Sequence, residues 1–589
     1  MVDQEWCFSC DYPESFDHHS LRRNPSLSRR VSAHIHDHNK VSAGASQALR
    51  IFNPTPESLK NLRAHEPKLK PALMCAQKYE AVGSAEGSAR ENANFPRGTL
   101  TRILCIAGLC ASASVSTICI AAGAAYYNKA QYQSQGWLSL NMARALKQTL
   151  PLLINILVAV LTESTGFIHA TTLRWALGEK LSFTSNLRLF SRGQGHFAFG
   201  RLSNFLNAGF LILSYSATSL VLVGLPPDEV CNQSHQNVKI CGEDAVYFCP
   251  GALIGLGIGL AGNAALTIWQ LSTITVPTWS SSPIDIVWAS SSIGQKRRAE
   301  KRCMLSVHES MRNNAPRKPK ALQQSAWSAH REVRRVLIYL WAIVIAVLIW
   351  FGGLAGGISA AWRPCTRQES YVCTVFSGSS WSLLPDTRGL TSFAQIDTVS
   401  NGADVDGSLS ITDNEGFAGA FVLIMAFQSI LTIGLHCAEL LVTLSRDEDE
   451  WRETTTRKGH IDRNALLTVT MSWKSIVLLA LKPIVHWLFG LGVSFYKDWG
   501  IFIRPPQLLY LSFAFIALAA LGTYLCFSRP KGPQPAAFGH IQTLTNLIDD
   551  WNEQLHWGDK GQGIDGIHHA GTANSELPPI IMTEEYAAG

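Results

Sequence analysis

The sequence predicts an all-α membrane protein, a polytopic transmembrane helical bundle of about eight spans behind a disordered cytosolic N-terminal tail. Three observations carry this. The 589 residues are 47% hydrophobic and only 16% charged, with 17 Trp, yet long stretches are plainly polar, so the apolar residues are concentrated. Eight mostly apolar windows stand out, at 103–125, 150–170, 202–224, 250–270, 336–360, 417–442, 474–496 and 507–527. At about 1.5 Å per residue each can cross the hydrocarbon core. Basic residues alternate between rich and poor connecting loops, as spans threading a bilayer require. A soluble multidomain protein and a wholly disordered chain are both excluded.

Residues 1–102 come first. They are polar and mixed in charge, with Pro, Ser and His and little periodicity, which predicts a disordered cytosolic tail. Arg22-Arg-Asn-Pro-Ser26 and Arg29-Arg-Val-Ser32 resemble sites of basophilic kinases, marking Ser26 and Ser32 as phosphorylation candidates. Cys7-Phe-Ser-Cys10 has no second Cys pair at finger spacing. It is read, with the His34–His38 run, as solvated tail. No basic region followed by an apolar stretch opens the chain, so the 103–125 window is expected to act as an uncleaved anchor.

The spans fall into two four-span blocks, 103–270 and 336–527, separated by a basic cytosolic loop at 271–335. The first, third, fourth, fifth and eighth windows contain no Asp, Glu, Lys or Arg. The second holds Glu163, the sixth Glu439, and the seventh Lys474 and Lys482, with Pro483 expected to interrupt that helix. With the N-terminus in the cytosol, loop 271–335 carries twelve Lys and Arg, and loops 171–201 and 443–473 five each. The opposite loops are poorer: three in 126–149, Lys239 alone in 225–249, and three spread through 361–416. Both termini are therefore expected in the cytosol.

Five of the 14 Cys lie in the two larger extracytosolic loops. Cys365 and Cys373 are expected to pair, as are two of Cys231, Cys241 and Cys249, because disulfides persist in an oxidising lumen. Asn232-Gln-Ser234 in the same region makes Asn232 a glycosylation candidate. A eukaryotic secretory-pathway or plasma membrane fits these features. In the C-terminal tail, 528–589, Phe538, Ile541, Leu544, Ile548, Trp551 and Leu555 recur at helical spacing. This predicts an amphipathic helix over 538–557 that either lies on the membrane or, the preferred reading, docks against the cytosolic loops. Glycines four apart in the fourth span (Gly251, Gly255, Gly259) and the fifth (Gly352/Gly356, Gly353/Gly357) predict close helix packing.

Ionisable groups are costly in hydrocarbon and mark structure or function. Counting about 1.5 Å per residue from the cytosolic end puts Glu163 about 10 Å deep, His436 about 9 Å and Glu439 about 5 Å. Lys482 lies about 12 Å deep, His486 about 18 Å and Asn263 about 10 Å. These six form one polar layer in the inner half of the membrane. It is either an inward-facing pocket for a solute or proton, or a neutralised network in which Lys482 pairs with Glu163 or Glu439. No phosphate-binding loop, His-Glu-x-x-His or Gly-x-Ser-x-Gly occurs, and His169, His436 and His486 form no paired ligand pattern. No cofactor, metal or catalytic residue is expected.

Several strings resemble those of a group of uncharacterised fungal multi-span membrane proteins. They are Thr171-Thr-Leu-Arg-Trp-Ala-Leu177, Pro277-Thr-Trp-Ser-Ser-Ser-Pro283, Leu435-His-Cys-Ala-Glu-Leu440, Leu444-Ser-Arg-Asp-Glu448, Lys482-Pro-Ile-Val-His-Trp-Leu-Phe489 and Gly532-Pro-Gln-Pro-Ala-Ala-Phe-Gly-His-Ile-Gln542. The resemblance runs from about residue 150 into the C-terminal tail. It implies a fungal origin and carries no functional residue across.

Two functions remain open at this level. A non-catalytic receptor-like or scaffold protein, recruiting cytosolic proteins through its tails, is slightly favoured because no internal repeat is evident. The alternative is a small-solute or proton-linked transporter using the polar layer. The expected partner common to both is the lipid bilayer, and no nucleic acid is expected.

Overall fold

The computed structural model describes residues 95–134, 138–177, 189–191, 193, 197–224, 245–299, 301–309, 315–362, 394–396, 414–455, 472–496, 500–552, 554–563 and 566–587. Eight long helices form the bundle, each containing most or all of one apolar window. They are α1 (Thr99–Ser134), α2 (Arg144–Leu177), α3 (Arg201–Val221) and α4 (Pro250–Thr273), then, beyond the short α5 (Pro283–Ser292), α6 (Arg331–Trp362), α7 (Asn414–Thr454), α8 (Trp473–Gly492) and α9 (Pro505–Phe527). Seven have stretches long and apolar enough to cross a membrane. The eighth, α3, has 21 residues, and Asn204, Asn207, Ser214, Ser216, Thr218 and Ser219 dilute its hydropathy. It packs against α2, α4, α7 and α8, so its polar groups face neighbours.

Local sequence sets the helix ends. Pro250, Pro283 and Pro505 open α4, α5 and α9, where a missing N–H costs nothing and φ is already helical. Pro483 does not break its helix: α8 runs through it without interruption, as α2 runs through Pro151. The lost backbone bond is tolerated where neighbouring helices pack around it.

At the ends of α3 and α8 the chain turns extended. Strands β1 (Leu138–Asn141), β2 (Leu222–Gly224) and β3 (Ala245–Phe248) form an antiparallel sheet in the order β1-β3-β2. Strands β4 (Ala394–Ile396), β5 (Val493–Tyr496) and β6 (Gly500–Ile503) form a second, in the order β4-β6-β5. Each sheet joins the first connection of its block to the third.

The two sheets reveal that the fold is built twice. In α1–α4 the first helix packs on the second and fourth, and the second and third pack on each other and on the fourth. Helices α6–α9 repeat every one of these pairings. The blocks meet through α2 against α8, α3 against α7, and α3 against α8, that is, through the second and third helices of each. Tyr215 and Ser219 stand seven and three residues before β2; His486 and Gly490 stand seven and three before β5. These equivalent positions touch: the Tyr215 and His486 rings stack at 3.7 Å, and a Cβ on Gly490 would lie 3.4 Å from Ser219 Oγ. Contact between equivalent positions is what a two-fold axis produces. Since each block has an even number of helices, that axis runs along the bundle.

At the opposite end from the sheets, segments far apart in sequence fold into one cap. It combines the described residues of 274–309, 315–330 and 528–587, including helix α10 (Ile541–Leu547) and strands β7 (His556–Gln562) and β8 (His568–Ala573). Ile284, Val287, Leu544, Leu547, Ile548 and Leu555 are buried together with Trp175 of α2 and Trp451 of α7. Helix α7 continues into the cap because its charges find partners there. Glu448 Oε2 accepts the backbone N–H groups of Ala537 and Phe538 at 2.8 Å each. Arg452 donates to the carbonyls of Lys531 and Gln534 at 2.8 and 3.0 Å.

The amphipathic run at 538–557 buries its apolar residues as periodicity suggests, but only Ile541–Leu547 is helical. Phe538, three residues before it, takes a positive φ of 44°, and the chain beyond it pairs as strands. The run therefore supplies apolar contacts to the cap through mixed structure.

Candidate functional site

Three bundle helices deliver the charged residues. Glu163 comes from α2, His436 and Glu439 from α7 one turn apart, and Lys482 and His486 from α8 one turn apart. Lys482 Nζ donates to Oε1 of both Glu163 and Glu439. His436 Nδ1 lies 3.1 Å from Glu439 Oε1. The Lys482 side chain is only 5% exposed, Glu439 19% and Glu163 32%, so Glu163 is the open edge of the cluster. Two carboxylates converge on one ammonium. With His436 neutral the group carries a net charge of −1, which one proton cancels.

A second polar chain continues along the seam between the blocks. His486 Nδ1 donates to Gln428 Oε1 at 2.9 Å, and Gln428 Nε2 donates to Ser219 Oγ at 3.1 Å. Tyr215, stacked on His486, has its hydroxyl 3.1 Å from Thr162 Oγ1, beside Glu163. The seam thus takes polar groups from α2, α3, α7 and α8, the four helices that join the halves.

Of the six residues predicted for one layer, four meet directly and His486 joins the seam. Asn263 does not. On α4 it is buried with neither side-chain amide atom hydrogen-bonded; depth along a helix does not say which face a residue occupies. His169 instead pairs with Asn207, whose Nδ2 donates to its Nδ1 at 2.7 Å. Lys474 sits at the cap end, bonded to Asp449 and to Ser445 Oγ. Gln428, Tyr215, Ser219 and Thr162 were not singled out in the sequence, because uncharged polar residues are ordinary in apolar helices.

Of Cys231, Cys241 and Cys249, two of which were expected to pair, only Cys249 is among the described residues. It is a free thiol, buried at the start of α4 among apolar residues of the bundle core, which leaves it no disulfide partner among the described residues. Cys231, Cys241, Cys365, Cys373, Asn232, Ser26 and Ser32 lie outside the described residues.

No protein-family model, curated protein or solved structure matches this chain. The seam is therefore read on its own chemistry. A cluster of two carboxylates, one ammonium and one imidazole between two equivalent halves can take up and release a proton, or exchange it for a cationic group.

Proposed function

We propose that the protein is a proton-linked transporter of small solutes, embedded in a secretory-pathway or plasma membrane with both termini and the cap in the cytosol. One observation carries the reading: the Glu163–Lys482–Glu439–His436 cluster lies on the interface between two structurally repeated halves. Repeat interfaces are where secondary transporters bind substrate and coupling ions, because small relative rotation of the halves opens the site to either side. The absence of a visible repeat in the sequence favoured a scaffold, and the duplicated helix and sheet order removes that argument. The distribution of Lys and Arg supports the orientation.

The test is reconstitution into liposomes loaded with a pH-sensitive dye. Amino acids, sugars and organic cations are added outside one at a time. At least one should drive proton entry above the rate in protein-free vesicles, and Glu163→Gln with Glu439→Gln should abolish it. A panel in which no solute moves protons sinks the reading. A receptor-like scaffold is the second reading, favoured by the cap's attachment to both halves through Trp175 and Trp451.

A further inference from the structure

Two neighbouring helices of the second half end their membrane-facing stripes in positive charge. On α6, Ile338, Trp341, Ile345 and Leu348 recur at spacings of three and four and are all exposed. Arg334, also exposed, extends that stripe by one turn toward the cap. On α9 the exposed residues are Phe513, Ala517, Ala520, Tyr524 and Phe527, and exposed Ser528 and Arg529 follow directly. The helices are antiparallel and touch here. Trp341 Nε1 donates to Thr523 Oγ1 at 3.0 Å, and a Cβ on Gly522 would lie 3.5 Å from Leu337 and from Leu340. Arg334 stands seven residues before Trp341, and Arg529 six beyond Thr523. Both therefore lie about two turns from one contact, on the cap side.

The segments that leave these helix ends are tied together. Gln323 N–H donates to Pro530 O and Gly532 N–H to Ala321 O, both at 2.9 Å, which sets exposed Leu322 beside exposed Lys531. Trp327 stacks on Phe527 with ring centroids 5.0 Å apart. Trp, Tyr and Phe in this setting mark the depth at which acyl chains give way to headgroups, so the arginines beyond them stand at the level of lipid phosphates. Five cations meet there: Arg331, Arg334, Arg335, Arg529 and Lys531. Glu332 answers two of them, 2.6 Å from Arg335 Nη1 and 3.4 Å from Arg331 Nε. Arg334, Arg529 and Lys531 have no ion pair among the described residues, and the acids nearby are engaged, Glu309 by Lys320 and Glu448 by Arg452. The first half is different. Arg97 and Arg102 flank the start of α1, but α4 ends at Thr273 and the next basic residue is Lys296.

We propose that the cap-side ends of α6 and α9 form a binding site for a phosphoinositide, a lipid whose inositol headgroup carries phosphate monoesters. The acyl chains lie along Trp341, Tyr524 and Phe527. Arg334 and Arg529 fork onto phosphate oxygens, a geometry that suits guanidinium, and Lys531 adds a third charge. A phosphate monoester carries close to two negative charges at neutral pH, so such a headgroup answers all three free cations. Phosphatidylserine, with one net charge, leaves most of them unanswered. The choice of the cytosolic leaflet rests on the orientation proposed above; the site itself requires neither that orientation nor transport.

Full-length protein in detergent, titrated with short-chain phosphatidylinositol bisphosphate and followed by microscale thermophoresis, tests this without transport or sidedness entering. The lipid should bind at least tenfold more tightly than short-chain phosphatidylserine. Arg334→Gln with Arg529→Gln and Lys531→Gln should weaken it at least tenfold. Arg97→Gln with Arg102→Gln, exposed residues at the matching end of the first half, should change it less than twofold. Should the triple variant fail to fold, Arg529→Gln alone, beyond the end of α9, should still lose at least threefold. Equal affinity for the two lipids overturns the proposal, as do equal losses from the two sets of substitutions. Free inositol trisphosphate binding as tightly as the lipid overturns it too, because the aromatic stripe would then contribute nothing.

Discussion

Lys482 is the residue on which the seam depends. Its ammonium stands between Glu163 and Glu439 with almost no exposure. Removing one partner of a buried ion pair is far worse than removing all of them, because the remaining charge keeps its desolvation cost. Lys482→Met should therefore lower stability by about 3–5 kcal/mol, read as a drop in the thermal midpoint in detergent. The triple change Lys482→Met, Glu163→Gln and Glu439→Gln should recover most of it. Failure of the triple to recover would show that the carboxylates do not rely on the lysine. These three were legible in the sequence because charges in apolar windows are conspicuous and helix rise places them at one depth. The sequence could not separate Asn263 from them, since only packing decides which face of α4 turns toward the seam.

Among the helices, apolar length was read with good fidelity, and the glycine pattern only in part. A Cβ on Gly259 would lie 2.4 Å from Ser214 Oγ and 2.9 Å from the Phe210 carbonyl, whereas one on Gly352 or Gly353 meets nothing within 4 Å. Gly259→Val should push α3 from α4 and cost about 1–3 kcal/mol, measured by thermal unfolding in detergent. Gly352→Ala should be neutral or gain up to about 1 kcal/mol from helix propensity. Equal effects at both sites would refute the close approach. The cap was not legible as a fold. Its contacts join residues up to hundreds of positions apart, such as Arg317 with Tyr586, and its strands, rich in Gly, His and charged residues, carry no apolar alternation. Periodicity at 538–557 correctly marked residues that become buried, but burial by a helical turn followed by strands leaves a similar trace.

At the scale of the molecule, two four-helix blocks return the chain to its starting side. Epitope tags at the two ends should be equally protected from protease in sealed vesicles of one orientation. Digestion of only one tag would remove a crossing and with it the equivalence of the halves. The duplication escaped sequence reading because what recurs is sparse. A proline opens α4 and α9, strands follow α3 and α8, and a Glu precedes a buried Trp by twelve residues in Glu163–Trp175 and Glu439–Trp451. Side chains between these marks differ between the halves, while helix order and sheet order match.

The correspondence that sets His486 beside Tyr215 also sets Lys482 in register with Leu211, a buried aliphatic residue. Two copies of the second block, joined through the same faces, would match two acidic groups with two lysines. Two copies of the first would press acid against acid with no counterion. A single leucine-to-lysine difference thus makes the halves complementary rather than interchangeable, and a continuous polypeptide guarantees that each always finds its unlike mate.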